Sequence, residues 1–196
     1  MANRRASRRN FLAACASAPV AALLPPVSSA ETRGIVGQMA PELDVEFWLD
    51  GQGESGEFSM LAQRGKWVYL KCWQSWCPGC HSHGFPALKK LSDAFADEPM
   101  IVPVGLQTTF EGHMFNTGDK VRKMQLRYDL EIPMGHDPGN RNDDGYPNTM
   151  RSYRTGGTPW QVVVNPEGRV VFNGFRLDID KAIAYLQEQV ALSRIG

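Results

Sequence analysis

The sequence holds 196 residues, with 21 basic and 21 acidic side chains and 42% apolar residues. That length and composition suit one domain around a single core. Residues 1–30 carry four of the basic side chains and none of the acidic ones, so the remainder has a net charge of −4. A mildly acidic surface gives no reason to expect nucleic-acid binding.

Arg4, Arg5, Arg8 and Arg9 precede an alanine-rich apolar run from Phe11 to Leu24 and the small residues Ser28-Ser29-Ala30. This is the layout of a secretory signal cleaved after Ala30, leaving a domain over residues 31–196. The run is too short and weakly apolar for a permanent membrane anchor. Ser7-Arg8-Arg9-Asn10-Phe11-Leu12 has the pattern of a twin-arginine export motif, which predicts a periplasmic protein. Leu12-Ala13-Ala14-Cys15 resembles a lipoprotein box, but too few apolar residues precede it for a signal core.

Leu43–Leu49 alternates and predicts a strand, followed by a turn-rich loop at 51–56. Trp67–Trp73 predicts a buried strand. Residues 78–96 predict a helix with Phe85, Leu88, Leu91 and Phe95 on its inner face. Met100–Leu106 predicts a strand and Val121–Tyr128 a helix. Gly135–Asn148 reads as a polar loop. Gln161–Val164 and Arg169–Phe172 predict a hairpin, and Asp178 caps a last helix that turns Ile183, Leu186 and Val190 inward. Strands alternating with helices give an α/β architecture with a central sheet.

Three cysteines follow residue 30: Cys72, Cys77 and Cys80. An exported protein meets an oxidising compartment, where an odd count leaves one thiol over. Cys77-Pro78-Gly79-Cys80 follows a buried strand and Trp76 and precedes a helix. That context makes Cys-x-x-Cys a redox pair. The free N–H groups and dipole of a helix start favour negative charge, and the thiolate is the nucleophile, so Cys77 is the expected attacking sulfur. Cys80, one turn on, is placed to resolve a mixed disulfide. Pro78 fits the first turn, where its missing N–H costs nothing.

These residues resemble the thioredoxin superfamily, in particular its exported TlpA-like and redoxin branch. Gly65–Leu70 leading to Trp73-Gln74-Ser75-Trp76-Cys77-Pro78-Gly79-Cys80 is similar to the family's first core strand and active site. Gly156-Gly157-Thr158-Pro159 before Trp160–Val164 is similar to its cis-proline segment. The resemblance covers most of 38–191. It implies a thioredoxin-like fold, a central mixed β-sheet flanked by helices. It also implies a thiol–disulfide oxidoreductase with Thr158 and Pro159 as the substrate platform and Trp76 beside the nucleophile. No bound cofactor follows from it. Its partners are protein thiols or disulfides and a redox protein that donates or accepts electrons. Spacing alone does not set the direction of electron flow; reductase is the direction expected here.

Three positions depart from the family. Lys71 stands where an acidic or amide residue is common; it either favours a thiolate electrostatically or snorkels to the surface. Pro86 comes nine residues after Cys77 instead of eight, which calls for a bulged turn and leaves the depth of His81 and His83 open. Cys72 replaces a bulky apolar residue and reads as a buried, inert thiol, with a third redox cysteine as the alternative.

Cys77-x-x-Cys80-His81 also spells a c-type haem attachment, which a strand running into the motif opposes. Copper or zinc held by these cysteines with His81 or His83 is a further alternative. A thiol peroxidase is another, although Leu70 and Trp73-Gln74 stand where peroxiredoxins carry their Pro and Thr. His113 and His136 read as surface or capping histidines, and Trp160 as an aromatic near the site or in the core. Asn140-x-Asn142-x-Asp144-Gly145 imitates a calcium loop but lacks the closing Glu, so it reads as a turn-rich loop.

Overall fold

A computed structural model describes residues 33–140 and 144–195. The expected export signal and part of the calcium-like loop lie outside the described residues. Seven strands form one mixed sheet in the order β2-β1-β5-β4-β3-β6-β7. They are β1 (Phe47–Leu49), β2 (Ser55–Gly56), β3 (Trp67–Trp73), β4 (Ile101–Thr108), β5 (Met134–Asp137), β6 (Trp160–Val164) and β7 (Val170–Gly174). The helices are α1 (Phe85–Ala94), α2 (Asp119–Tyr128), α3 (Asn148–Ser152) and α4 (Ile179–Ser193).

β3 explains most of the architecture. All seven of its residues are buried, as expected of a central strand covered on both faces. Its side chains alternate between two core clusters. Trp67, Tyr69 and Trp73 join Phe85, Leu88 and Leu91 of α1 and Leu186 and Val190 of α4. Val68, Leu70 and Cys72 join Trp48, Tyr153 and Trp160 on the opposite face. By this alternation Lys71 falls on the side of α1.

The pairing also creates the site. β3 runs parallel to β4 and antiparallel to β6, with Lys71 opposite Gln161 and Cys72 opposite Trp160. The C-terminal end of β3 therefore meets the start of β6. Cys77 and Thr158, 81 residues apart in sequence, become neighbours.

Several expected elements shift. The first strand covers only 47–49; of the stretch before it, Glu46 reaches β5, its N–H donating to the His136 carbonyl at 2.9 Å. The polar stretch from Gly135 begins as β5, completely buried between β1 and β4. His136 is consequently 4% exposed and packs on Phe47, which corrects the surface reading. His113 is exposed, as expected. Asp178 caps α4 by accepting the Lys181 N–H at 3.2 Å.

Candidate active site

After Trp73 the chain turns through Gln74, Ser75 and Trp76 into Cys77. Asn116 fixes that turn from the far side. It is buried, its Oδ1 accepts the Ser75 N–H at 2.7 Å, and its Nδ2 donates to the carbonyls of Glu111 and Gly112 at 3.0 and 3.3 Å. Gln74 is buried too, donating to Glu111 O and accepting the Trp76 indole N–H. Trp76 lies exposed and stacked on Phe115, ring centres 5.9 Å apart.

Cys77 is half-buried at the helix start. Its Sγ accepts the Cys80 N–H at 3.3 Å and donates its thiol to the Thr158 carbonyl at 3.6 Å. Pro78 opens the helix and is exposed. Cys80 is 0% exposed within the α1-side core. Burial pushes its thiol up to about 12, reinforced by its hydrogen bond with Cys77. Both cysteines are free thiols, as is Cys72. The Thr158–Pro159 peptide bond is cis. A Cβ on Gly79 would lie 3.2 Å from Pro159 Cδ and 4.0 Å from Cys77 Sγ, so a bare glycine keeps that approach open.

The extra residue before Pro86 is absorbed by a π-helical turn over Cys80–Gly84, closed by the Phe85 N–H on the Cys80 carbonyl. This turn sets the depth of the two histidines. His81 is half-buried, with Nε2 2.6 Å from Ser75 O and Nδ1 2.6 Å from the Tyr128 hydroxyl. Nε2 therefore carries the proton and donates to Ser75 O, while Nδ1 accepts from Tyr128. Both ring nitrogens are engaged in positioning the turn. His83 is exposed beside Ser82. Among the described residues no group of three or more His, Cys, Asp or Glu is arranged to hold a metal ion.

Lys71 does not snorkel out; it is 2% exposed. Its Cε packs where a Cβ on Gly84 would sit, 3.1 Å away. Burial lowers its ammonium to about 8, against the opposing pull of Cys80, Cys72 and Cys77. Cys72 faces the other core cluster at 0% exposure, and burial pushes its thiol up to about 12. Trp160 belongs to that same far cluster, in edge contact with Phe175, and is core. Asn116 and Tyr128 carry no signal in the sequence, since their partners Ser75 and His81 lie 41 and 47 residues away.

Across residues 36–173 the sequence matches the AhpC/TSA family. The chain belongs to the AhpC/TSA family. Its structural neighbours set this AhpC/TSA protein in the thioredoxin superfamily, in the TlpA-like redoxin branch, as the resemblance implied. It is similar to a thioredoxin-like superfamily protein, SPOA0173, at TM-score 0.67 and 28% identity, over 76% of this chain and 94% of that one. It is also similar to a thiol-disulfide isomerase from Corynebacterium glutamicum, at TM-score 0.64 and 29% identity, over 75% and 96%. The thioredoxin-like protein YneN of Bacillus subtilis (strain 168) is 31% identical over 118 residues, which is 58% of this AhpC/TSA chain. The match spans 62% of the length of that curated relative.

Proposed function

We propose that this chain is a periplasmic thiol–disulfide oxidoreductase that reduces disulfides of partner proteins through Cys77 and Cys80. One observation carries the reading: a half-buried Cys77 sulfur, held by the Cys80 N–H, faces the Thr158 carbonyl beside Pro159, with a fully buried Cys80 behind it. Cys77, as thiolate, attacks one sulfur of the partner disulfide; the partner's other sulfur leaves and takes up a proton. Cys80 then loses its proton and attacks Cys77 Sγ, which closes the Cys77–Cys80 disulfide and releases the second partner thiol. Until that step burial keeps Cys80 a neutral thiol. Thr158 and Pro159 form the platform for the partner chain, and Trp76 with Phe115 gives it an exposed aromatic surface. A redox protein returns two electrons to the pair.

The similarity to a thiol-disulfide isomerase and to a thioredoxin-like protein supports this chemistry. The arginine-rich, alanine-rich start of the sequence supports export by the twin-arginine route. The engaged nitrogens of His81 speak against its use as a haem or metal ligand. A peroxidase of the same fold is the rival. It requires a hydroxyl near the reacting sulfur three residues upstream; here Gln74 stands there, and both ends of its amide are taken.

Stopped-flow oxidation of the reduced protein separates the two. A protein disulfide such as that of insulin is expected to oxidise the pair at least about 100-fold faster than hydrogen peroxide, because an ordinary thiolate exchanges readily and lacks a peroxide-activating site. Faster oxidation by peroxide would overturn the proposal in favour of the peroxidase.

A further inference from the structure

A cavity of roughly 780 Å³ opens beside the cysteine pair, bounded by Gly79 and Pro159 on the sulfur side and by Lys71 and Gln161 on the sheet. Its volume lies within the usual range for small-molecule sites. Its charged lining is of one sign. Lys71, Lys90 and Arg176 contribute cations, His83 adds an imidazole, and no Asp or Glu lines it. Lys90 is tied to Asp180, whereas Arg176 is exposed. Lys71 is the unusual member. It is 2% exposed, and its electrostatic neighbours are the thiols of Cys80, Cys72 and Cys77, with no Asp or Glu among them. Burying a charge is unfavourable unless it is paired. Its neighbours on the same strand side, Tyr69 and Trp73, are ordinary core residues. An apolar residue would fit this position at no such cost; the groups that pull on the ammonium in the free protein are those three thiols, and the side chain lines the cavity.

We propose that this cavity is a carboxylate-binding subsite, which seats an anionic group of a thiol or disulfide substrate on Lys71 while the substrate's sulfur meets Cys77. The inference rests on the redox reading of the pair and adds its substrate class. Gly79 supplies the passage between the two points, since the space of its missing side chain lies 4.0 Å from Cys77 Sγ and the residue also lines the cavity. Gly84 leaves room for the Lys71 stem. Phe175, Leu177 and Ile179 offer apolar wall to the carbon chain between sulfur and carboxylate. A compact ammonium suits a single carboxylate as a point charge, and Arg176 adds attraction at an exposed position. The exchange balances as dithiol plus R–S–S–R giving the Cys77–Cys80 disulfide and two R–SH. The carboxylate has two sources, a small thiol or an acidic side chain beside a cysteine in a protein.

The test uses two disulfides of similar size, 3,3′-dithiodipropionate and the neutral 2-hydroxyethyl disulfide. Each oxidation rate is divided by the rate of the same disulfide with dithiothreitol, which removes its intrinsic reactivity. The anionic-to-neutral ratio is expected to be about 10 at low salt, falling as salt screens the attraction. In Lys71→Gln it falls to about 1, whatever the substitution does to the cysteines, because both disulfides meet the same sulfur. Arg176→Gln, at an exposed position, lowers the ratio about two- to threefold and keeps the test independent of how well Lys71→Gln folds. A wild-type ratio near 1, with the neutral disulfide still reacting, overturns the carboxylate subsite and leaves the redox pair standing. If neither disulfide reacts, both readings fall. Cysteine peptide disulfides flanked by Glu or by Gln assign the source: a Glu preference restricted to the peptides points to acidic protein substrates, and a preference restricted to dithiodipropionate points to a small thiol.

Discussion

Cys77→Ser is expected to lower disulfide turnover by at least about a thousandfold, because a hydroxyl cannot replace the thiolate as attacking sulfur. Cys80→Ser should fail differently. Its Cys77 still attacks, but the residue behind it cannot resolve, so the partner stays attached. Intact mass under non-reducing conditions would show that adduct on the Cys80 variant and not on the Cys77 variant. Cys72→Ala separates the third thiol: at 0% exposure, on the opposite face of β3 from Cys80, it should leave turnover within about twofold. Full disulfide turnover in Cys77→Ser would remove Cys77 from the chemistry.

Lys71→Met is expected to stabilise the protein by about 3 kcal/mol at pH 7. The cause is the cost of an unpaired buried ammonium, which burial lowers from its ordinary 10.5 to about 8. Methionine keeps the apolar stem and drops the charge. The pH dependence has a definite sign. Between pH 8 and 10.5 the unfolded chain holds the Lys71 proton and the folded chain releases it, so the wild type gains stability as pH rises. The advantage of Lys71→Met is therefore full below pH 8 and gone above about 10.5. Cys72 and Cys80, both pushed up to about 12, oppose that trend above their ordinary range in both proteins, and losing the Lys71 charge pushes Cys72 slightly higher still, so the comparison is read between pH 7 and pH 10 as a difference dominated by Lys71. Urea unfolding of both proteins at pH 7 and pH 10 measures it. A destabilised Lys71→Met at pH 7 would mean that the ammonium has a partner in the folded protein.

Much of this arrangement was legible in the sequence. Trp67–Trp73 is an apolar run broken only by Lys71 and flanked by turn residues, and the strand forms over those same residues. Asp178 announces its helix through local capping chemistry. The one-residue surplus before Pro86 called for a bulge, and a π-helical turn supplies it. What stayed hidden depends on distant partners. β5 contains Gly135, His136 and Asp137, polar or flexible in isolation, and becomes a strand because β1 and β4 pair with both its edges. Gly135 serves there as a close approach, since a Cβ would lie 2.9 Å from the Trp48 ring. Asn116 and Tyr128 reach the site only through the fold. Lys71 could be read from spacing as an anomaly, but strand alternation alone did not decide between surface and core. Burial beneath Gly84 and Pro159 decides it.

The central claim is that Cys77 and Cys80 form one reversible redox couple. A redox titration of the purified protein in glutathione buffers, with acid quench, thiol alkylation and intact mass, tests it directly. The expected result is a single two-electron step confined to Cys77 and Cys80, with Cys72 alkylated only after denaturation. A midpoint of about −270 mV would agree with the proposed reductase direction, whereas one of about −120 mV would mark an oxidant. A pair that never oxidises, or a step that consumes Cys72, would contradict the account.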